Sequence, residues 1–143
     1  MPKDEYILII PCSGIGKSLG TVGRKATYEV VDELRPKNTR TICLALLTMG
    51  DQETLKMIRE NPCITIDGCP AKCAQKNVET SNGRLIRSFL VTDTLRNHRD
   101  LKPDGIIELN REGCELANVV AREVAKMIDE TRGKSLWHLQ NGK

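Results

Sequence analysis

The chain has 143 residues, of which 39% are hydrophobic and only 3% aromatic, and its 22 basic and 19 acidic side chains leave a net charge of +3. That length supports one domain with a substantial core. The near balance of charge gives no footing for nucleic-acid binding, and no apolar run approaches the ~20 residues of a membrane span.

With one Trp, one Phe and two Tyr, the core must be built from Ile, Leu, Val and Ala, which suits an α/β protein with a buried parallel sheet. Lys3-Asp4-Glu5 lead straight into a strand-like run with no secretory leader, so a cytoplasmic location is expected. Tyr6-Ile7-Leu8-Ile9-Ile10 is continuous enough for a central strand buried on both faces. A glycine-rich loop follows, from Pro11-Cys12-Ser13-Gly14 to Gly23. Thr21 is read as the cap of a helix running to residue 34, with Val22, Ala26, Val30 and Leu34 on its apolar face. Pro36 helps to break it.

Residues 39–45 read as a second strand and 51–60 as a second helix, with Leu55 and Ile58 inward. Residues 63–66 read as a third strand, leading into Asp67-Gly68-Cys69-Pro70-Ala71-Lys72-Cys73-Ala74. Here Asp-Gly turns the chain. Pro70 stands where a helix begins, which makes Cys69 its N-cap and puts Cys73 four residues on along the same face. That short helix fades near residue 79, and Ser81-Asn82-Gly83 is a turn. Residues 85–91 make a fourth strand near an edge, and 97–105 are irregular. Asn110 caps a last helix over 111–130, whose inward stripe is Cys114, Ala117, Ala121, Val124 and Ile128. From Gly133 onward a loose tail is expected, with Leu136 and Trp137 free to dock.

This alternation implies right-handed crossovers and a single three-layer α/β domain. A central four-stranded parallel sheet in order 2-1-3-4 is expected, as in Rossmann-like and flavodoxin-like folds. Residues 1–133 are read as that domain and 134–143 as the tail. Ligands of such sheets bind outside the carboxyl ends of the strands. Cys12, Cys43 and Cys69 fall at those ends, and Cys73 follows Cys69. In a reducing compartment six cysteines read as metal ligands, reactive thiols or small core residues rather than three disulfides. Cys114, on an inner helix face, and Cys63, at the far end of its strand, read as core residues. Whether Cys63 replaces Cys43 as a ligand is open.

The run Asp67 to Ala74 resembles the signature of the DGC-domain family. Pro11-Cys12-Ser13-Gly14 is similar to that family's opening, and Cys43-Leu44-Ala45 to its second cysteine region. The likeness covers roughly residues 5–130. The resemblance implies four shared cysteines that bind zinc, here Cys12, Cys43, Cys69 and Cys73, in proteins whose cellular role is largely unassigned. Asp67 is then turn-forming rather than a ligand.

Four thiolates in a reducing compartment suit tetrahedral Zn²⁺; a four-cysteine iron–sulfur cluster would use the same ligands. Thiol-redox or metal-dependent catalysis at Cys69 and Cys73 is a further reading, although His98 and His138 look like surface residues rather than a partner base. Gly14-Ile15-Gly16-Lys17-Ser18 invites comparison with a P-loop. Against it, Pro11 stands at the first glycine's place, and Gly20 and Gly23 should interrupt the required helix. Amides of this loop could still hold a small-molecule or anion ligand beside the cysteines.

Overall fold

A computed structural model describes residues 6–140, with residues 134–140 described as helical backbone only. Four parallel strands, β1 (Ile7–Pro11), β2 (Thr39–Thr41), β3 (Cys63–Asp67) and β4 (Leu85–Leu90), form one sheet in the order β2-β1-β3-β4. Ile7 pairs with Thr39, Ile9 with Ile64 and Ile66 with Phe89. The two central strands are nearly all apolar because helices cover both faces.

The period-2 pleat divides their side chains between two cores. Ile7, Ile9, Ile64 and Ile66 pack toward α1 (Ser18–Glu29), α5 (Val91–Arg96) and α6 (Arg111–Gln140). Leu8, Ile10 and Cys63 pack toward α2 (Leu44–Thr48), α3 (Gln52–Glu60) and α4 (Cys73–Thr80). The expected three-layer α/β arrangement and strand order are therefore present. No helix among the described residues is long and apolar enough to cross a membrane.

Several local expectations are corrected. The first helix starts at Ser18, not after Thr21, and passes through Gly20 and Gly23 before closing in a π turn over Val30–Leu34. Thr21 is buried within it, and its hydroxyl donates to the Ile106 carbonyl rather than capping. Gly20 is tolerated in the helix because its Cα faces backbone: a Cβ there would lie 2.3 Å from the Gly14 Cα. The second strand stops at Thr41, and Leu44–Thr48 is helical. An apolar run as short as Ile42 to Leu47 fits strand or helix equally well by pattern.

The short helix α5 occupies the end of the expected fourth strand and the residues after it. The last helix runs on past Glu130 and Gly133 to Gln140, since one exposed glycine costs a helix only about 1 kcal/mol. The docking of Leu136 and Trp137 and the exposure of His138 concern side chains outside the described set, and residues 1–5 and 141–143 lie outside it altogether. Asn110 caps α6 as expected, accepting from Gly113 N at 2.8 Å, and Asp51, expected as the first residue of its helix, is the cap of α3, accepting from Thr54 N at 3.0 Å.

Candidate metal centre

The chain leaves β1 toward the α1 face and β3 toward the α4 face. Their carboxyl ends therefore diverge and open the crevice at which doubly wound sheets bind ligands. Cys12 sits at that divergence. Its N–H donates to Ile66 O at 3.0 Å, prolonging the β1–β3 ladder, and its Sγ accepts from Gly68 N at 3.4 Å. The side chain is 8% exposed. Burial pushes its thiol up, the Gly68 N–H opposes this, and the charges of Asp67, Cys73 and Cys69 push it further.

The turn after β3 is not the one expected. Cys69 is not a helix cap and does not share a helical face with Cys73. The helix α4 begins at Cys73, after Lys72 in the left-handed conformation (φ 53, ψ 48), and Lys72 N donates to Cys69 O at 3.1 Å. The cause is Asp67. Its carboxylate accepts from Ala74 N at 2.8 Å and from Gln75 N at 3.1 Å, taking two of the amides that a helix start leaves without partners. The helix begins where those amides reach it, three residues beyond the reading based on Pro70. Asp67 is 2% exposed, and burial pushes its carboxyl up against the lowering effect of the two amides and of Lys72 and Lys76. The positive end of α4 therefore lies at Cys73, not at Cys69.

Cys12, Cys69 and Cys73 nonetheless line one cavity of ≈310 Å³, with Asp67, Lys17 and Lys72 in its walls. Lys17 Nζ lies 3.9 Å from Cys69 Sγ as a donor. Cys43 stands apart from this group. It is exposed at the start of α2 and lines a different cavity, of ≈360 Å³, on the other side of Cys12. Among the described residues, no three His, Cys, Asp or Glu side chains are gathered tightly enough to hold a metal ion as they stand. The donor chemistry fits a soft metal, with three thiols on one cavity and two lysines to offset thiolate charge.

The remaining cysteines lie elsewhere. Cys63 opens β3 at the opposite edge of the sheet, fully buried, with its Sγ 3.5 Å from Ile58 O, and burial pushes its thiol up to about 12. It is no substitute for Cys43. Cys114 is half-buried in the first turn of α6, 3.8 Å from Leu109 O. His98 follows the end of α5, its N–H donating to Leu95 O.

The glycine-rich loop turns at Gly14 (φ 58) and Gly16 (φ 89), and the helix after it has no side-chain cap. The objection to a P-loop from Gly20 and Gly23 therefore falls, while that from Pro11, the last residue of β1, stands. One residue at this edge was not legible beforehand. Arg24 reaches back from α1 to donate to the Ser13 carbonyl at 2.5 Å. Nothing in its sequence neighbourhood marks it, because the contact exists only once the helix starts at Ser18.

A family model described as DGC domain matches residues 8–112 of the chain. No curated protein and no solved structure matches it.

Proposed function

The chain belongs to the DGC-domain family, and from that premise we propose that it binds one zinc ion through Cys12, Cys69 and Cys73, with Cys43 as fourth ligand. The family is associated with metal binding, and its cellular role is unassigned. The observation that carries the proposal is the convergence of Cys12, Cys69 and Cys73 on one cavity at the β1–β3 divergence. Soft thiolate donors in a tetrahedral set favour Zn²⁺. Zinc held by four thiolates is a closed centre, whereas with three it keeps a position at which it acts as a Lewis acid.

The chain's own residues have separate tasks in this reading. The Gly68 N–H holds the Cys12 sulfur in place, and Asp67 fixes the start of α4 and so the position of Cys73. Lys17 offsets negative charge beside Cys69. Cys43 joins only if the connection after β2 moves toward Cys12, so metal binding is expected to order that connection.

Cobalt substitution tests the ligand set, because sulfur-to-cobalt absorption reports bound thiolates. It should weaken in Cys12→Ser, Cys69→Ser, Cys73→Ser and Cys43→Ser and be unchanged in Cys63→Ser and Cys114→Ser. Full metal content in Cys69→Ser would sink the proposal. Strong visible colour with iron and sulfide in the purified protein would replace zinc by an iron–sulfur cluster on the same ligands. The lysine beside Cys69 supports a second reading, a thiolate nucleophile at Cys69. Metal-free protein with rapid alkylation at that residue would favour it.

A further inference from the structure

The cavity on the far side of Cys12 differs in character from the one lined by Cys69 and Cys73. It lies between the carboxyl ends of β1 and β2, with Arg24 as its one charged wall and Tyr28, Ile42 and Leu44 among its apolar ones. The Arg24 guanidinium is fixed from two sides, donating to Ser13 O at 2.5 Å and to Thr21 Oγ1 at 3.4 Å. Both acceptors are neutral, and among the described residues no carboxylate pairs with Arg24. Glu108 borders a neighbouring cavity of ≈530 Å³ that Arg24 and Lys25 also line.

Arg35 shows how the same protein treats an arginine that ties elements together. Its Nε and Nη2 meet the two oxygens of Asp129 at 2.8 and 2.5 Å. At Arg24 the described residues supply no such anion. A guanidinium has five N–H donors in a planar fork that matches an oxyanion, and two of these are spent on neutral oxygens. One helical turn on, Tyr28 leaves its side chain 55% exposed at the same cavity and offers a flat apolar surface beside the charge.

We propose that this cavity binds a small organic oxyanion, its charged group on Arg24 and its apolar body against Tyr28 and Ile42. The buried Cys12 and exposed Cys43 border the same volume, so the ligand sits against the cysteine edge of the sheet. None of Arg24, Tyr28 and Ile42 is a metal ligand in the reading above; Cys43 and its connection are shared with it, and the metal content of each sample tells a failure of one proposal from a failure of the other.

Titration of the full-length protein, as purified, with benzoate and with inorganic phosphate tests this by amide NMR shifts, with metal content measured on the same samples. Benzoate should saturate, bind more tightly than phosphate and perturb Ser13, Ile42 and Cys43. Arg24→Gln should weaken it by about tenfold or more. Lys25→Gln, which removes the same charge from the neighbouring position, should leave it unchanged. Tyr28→Ala should weaken it severalfold, and this variant decides the matter should Arg24→Gln fail to fold. Absence of saturable benzoate binding, equal loss in Lys25→Gln, no effect of Tyr28→Ala, or binding of phosphate alone would each overturn the proposal.

Discussion

At the residue scale, six cysteines of one chain occupy very different environments. Cys43 and Cys73 are exposed, Cys69 and Cys114 are intermediate, and Cys12 and Cys63 are buried. Alkylation proceeds through the thiolate. Burial pushes the Cys63 thiol up to about 12 and leaves the residue without solvent contact, so it offers the reagent neither thiolate nor access. Mass-spectrometric mapping of iodoacetamide labelling on metal-free native protein should therefore find Cys43 and Cys73 modified first and Cys63 unmodified until the chain unfolds. Early modification of Cys63 would contradict the buried placement. Its status as a core residue was legible from its place at the start of an apolar strand. That Cys12, Cys69 and Cys73 gather at one edge was legible from the expected strand order, whereas the Gly68 N–H on the Cys12 sulfur was not, because it depends on the turn after β3.

At the scale of elements, close backbone contact sets the geometry of the cysteine edge. Gly14, Gly20 and Gly68 approach one another where the glycine-rich loop, α1 and the turn after β3 meet: a Cβ on Gly68 would stand 2.7 Å from Gly20 N, and one on Gly20 2.4 Å from Gly14 O. Gly20→Ala should cost about 1–3 kcal/mol by overpacking and weaken metal binding through the displaced Cys12. Gly133→Ala, at a helical position with nothing within 4 Å, should stabilise by about 0.5–1 kcal/mol. Urea melts of the two variants give both signs in one assay, and a neutral Gly20→Ala would remove the packing account.

The pair Arg35–Asp129 joins the π turn to α6, and Arg35 holds the Asp129 carboxyl below its usual range. A carboxyl lowered by folding adds stability that is complete above the ordinary carboxylate pKa and is lost as pH falls through the lowered value. Asp129→Asn should cost at most about 1 kcal/mol at neutral pH, since the pair is partly exposed, the two side chains at 30% and 54%. Urea melts should show that gap closing in acid; a gap that widened there would contradict the assignment. The long apolar elements, β1 and the stripe of α6, were readable from periodicity because burial on a fixed face imposes it. The starts of α1 and α4 were not. Each is set by a contact a few residues back along the chain that no periodicity reveals, Gly14 against Gly20 in one case and the Asp67 carboxylate on the Ala74 and Gln75 amides in the other.

For the whole molecule, the strand order brings loops from separate parts of the chain to one edge, and that order was legible from the alternation of strand and helix. Which cysteines share a cavity was only half legible. Cys12, Cys69 and Cys73 do, whereas Cys43 lies beyond β1 because β2 and β3 flank β1 on opposite sides. If metal closes this edge, its binding free energy adds to folding: zinc at a thousand times its Kd stabilises by about 4 kcal/mol. A chelator should then lower the melting temperature of wild type and leave Cys69→Ser unmoved, as differential scanning calorimetry would show.

Elemental analysis of reduced, untagged protein, wild type beside Cys69→Ser, tests the central claim most directly. About one zinc per chain in the wild type, with no visible colour, and loss of that zinc in the variant is the predicted result. A wild type without metal, or a Cys69→Ser protein that keeps its full complement, would contradict a zinc centre at the β1–β3 divergence.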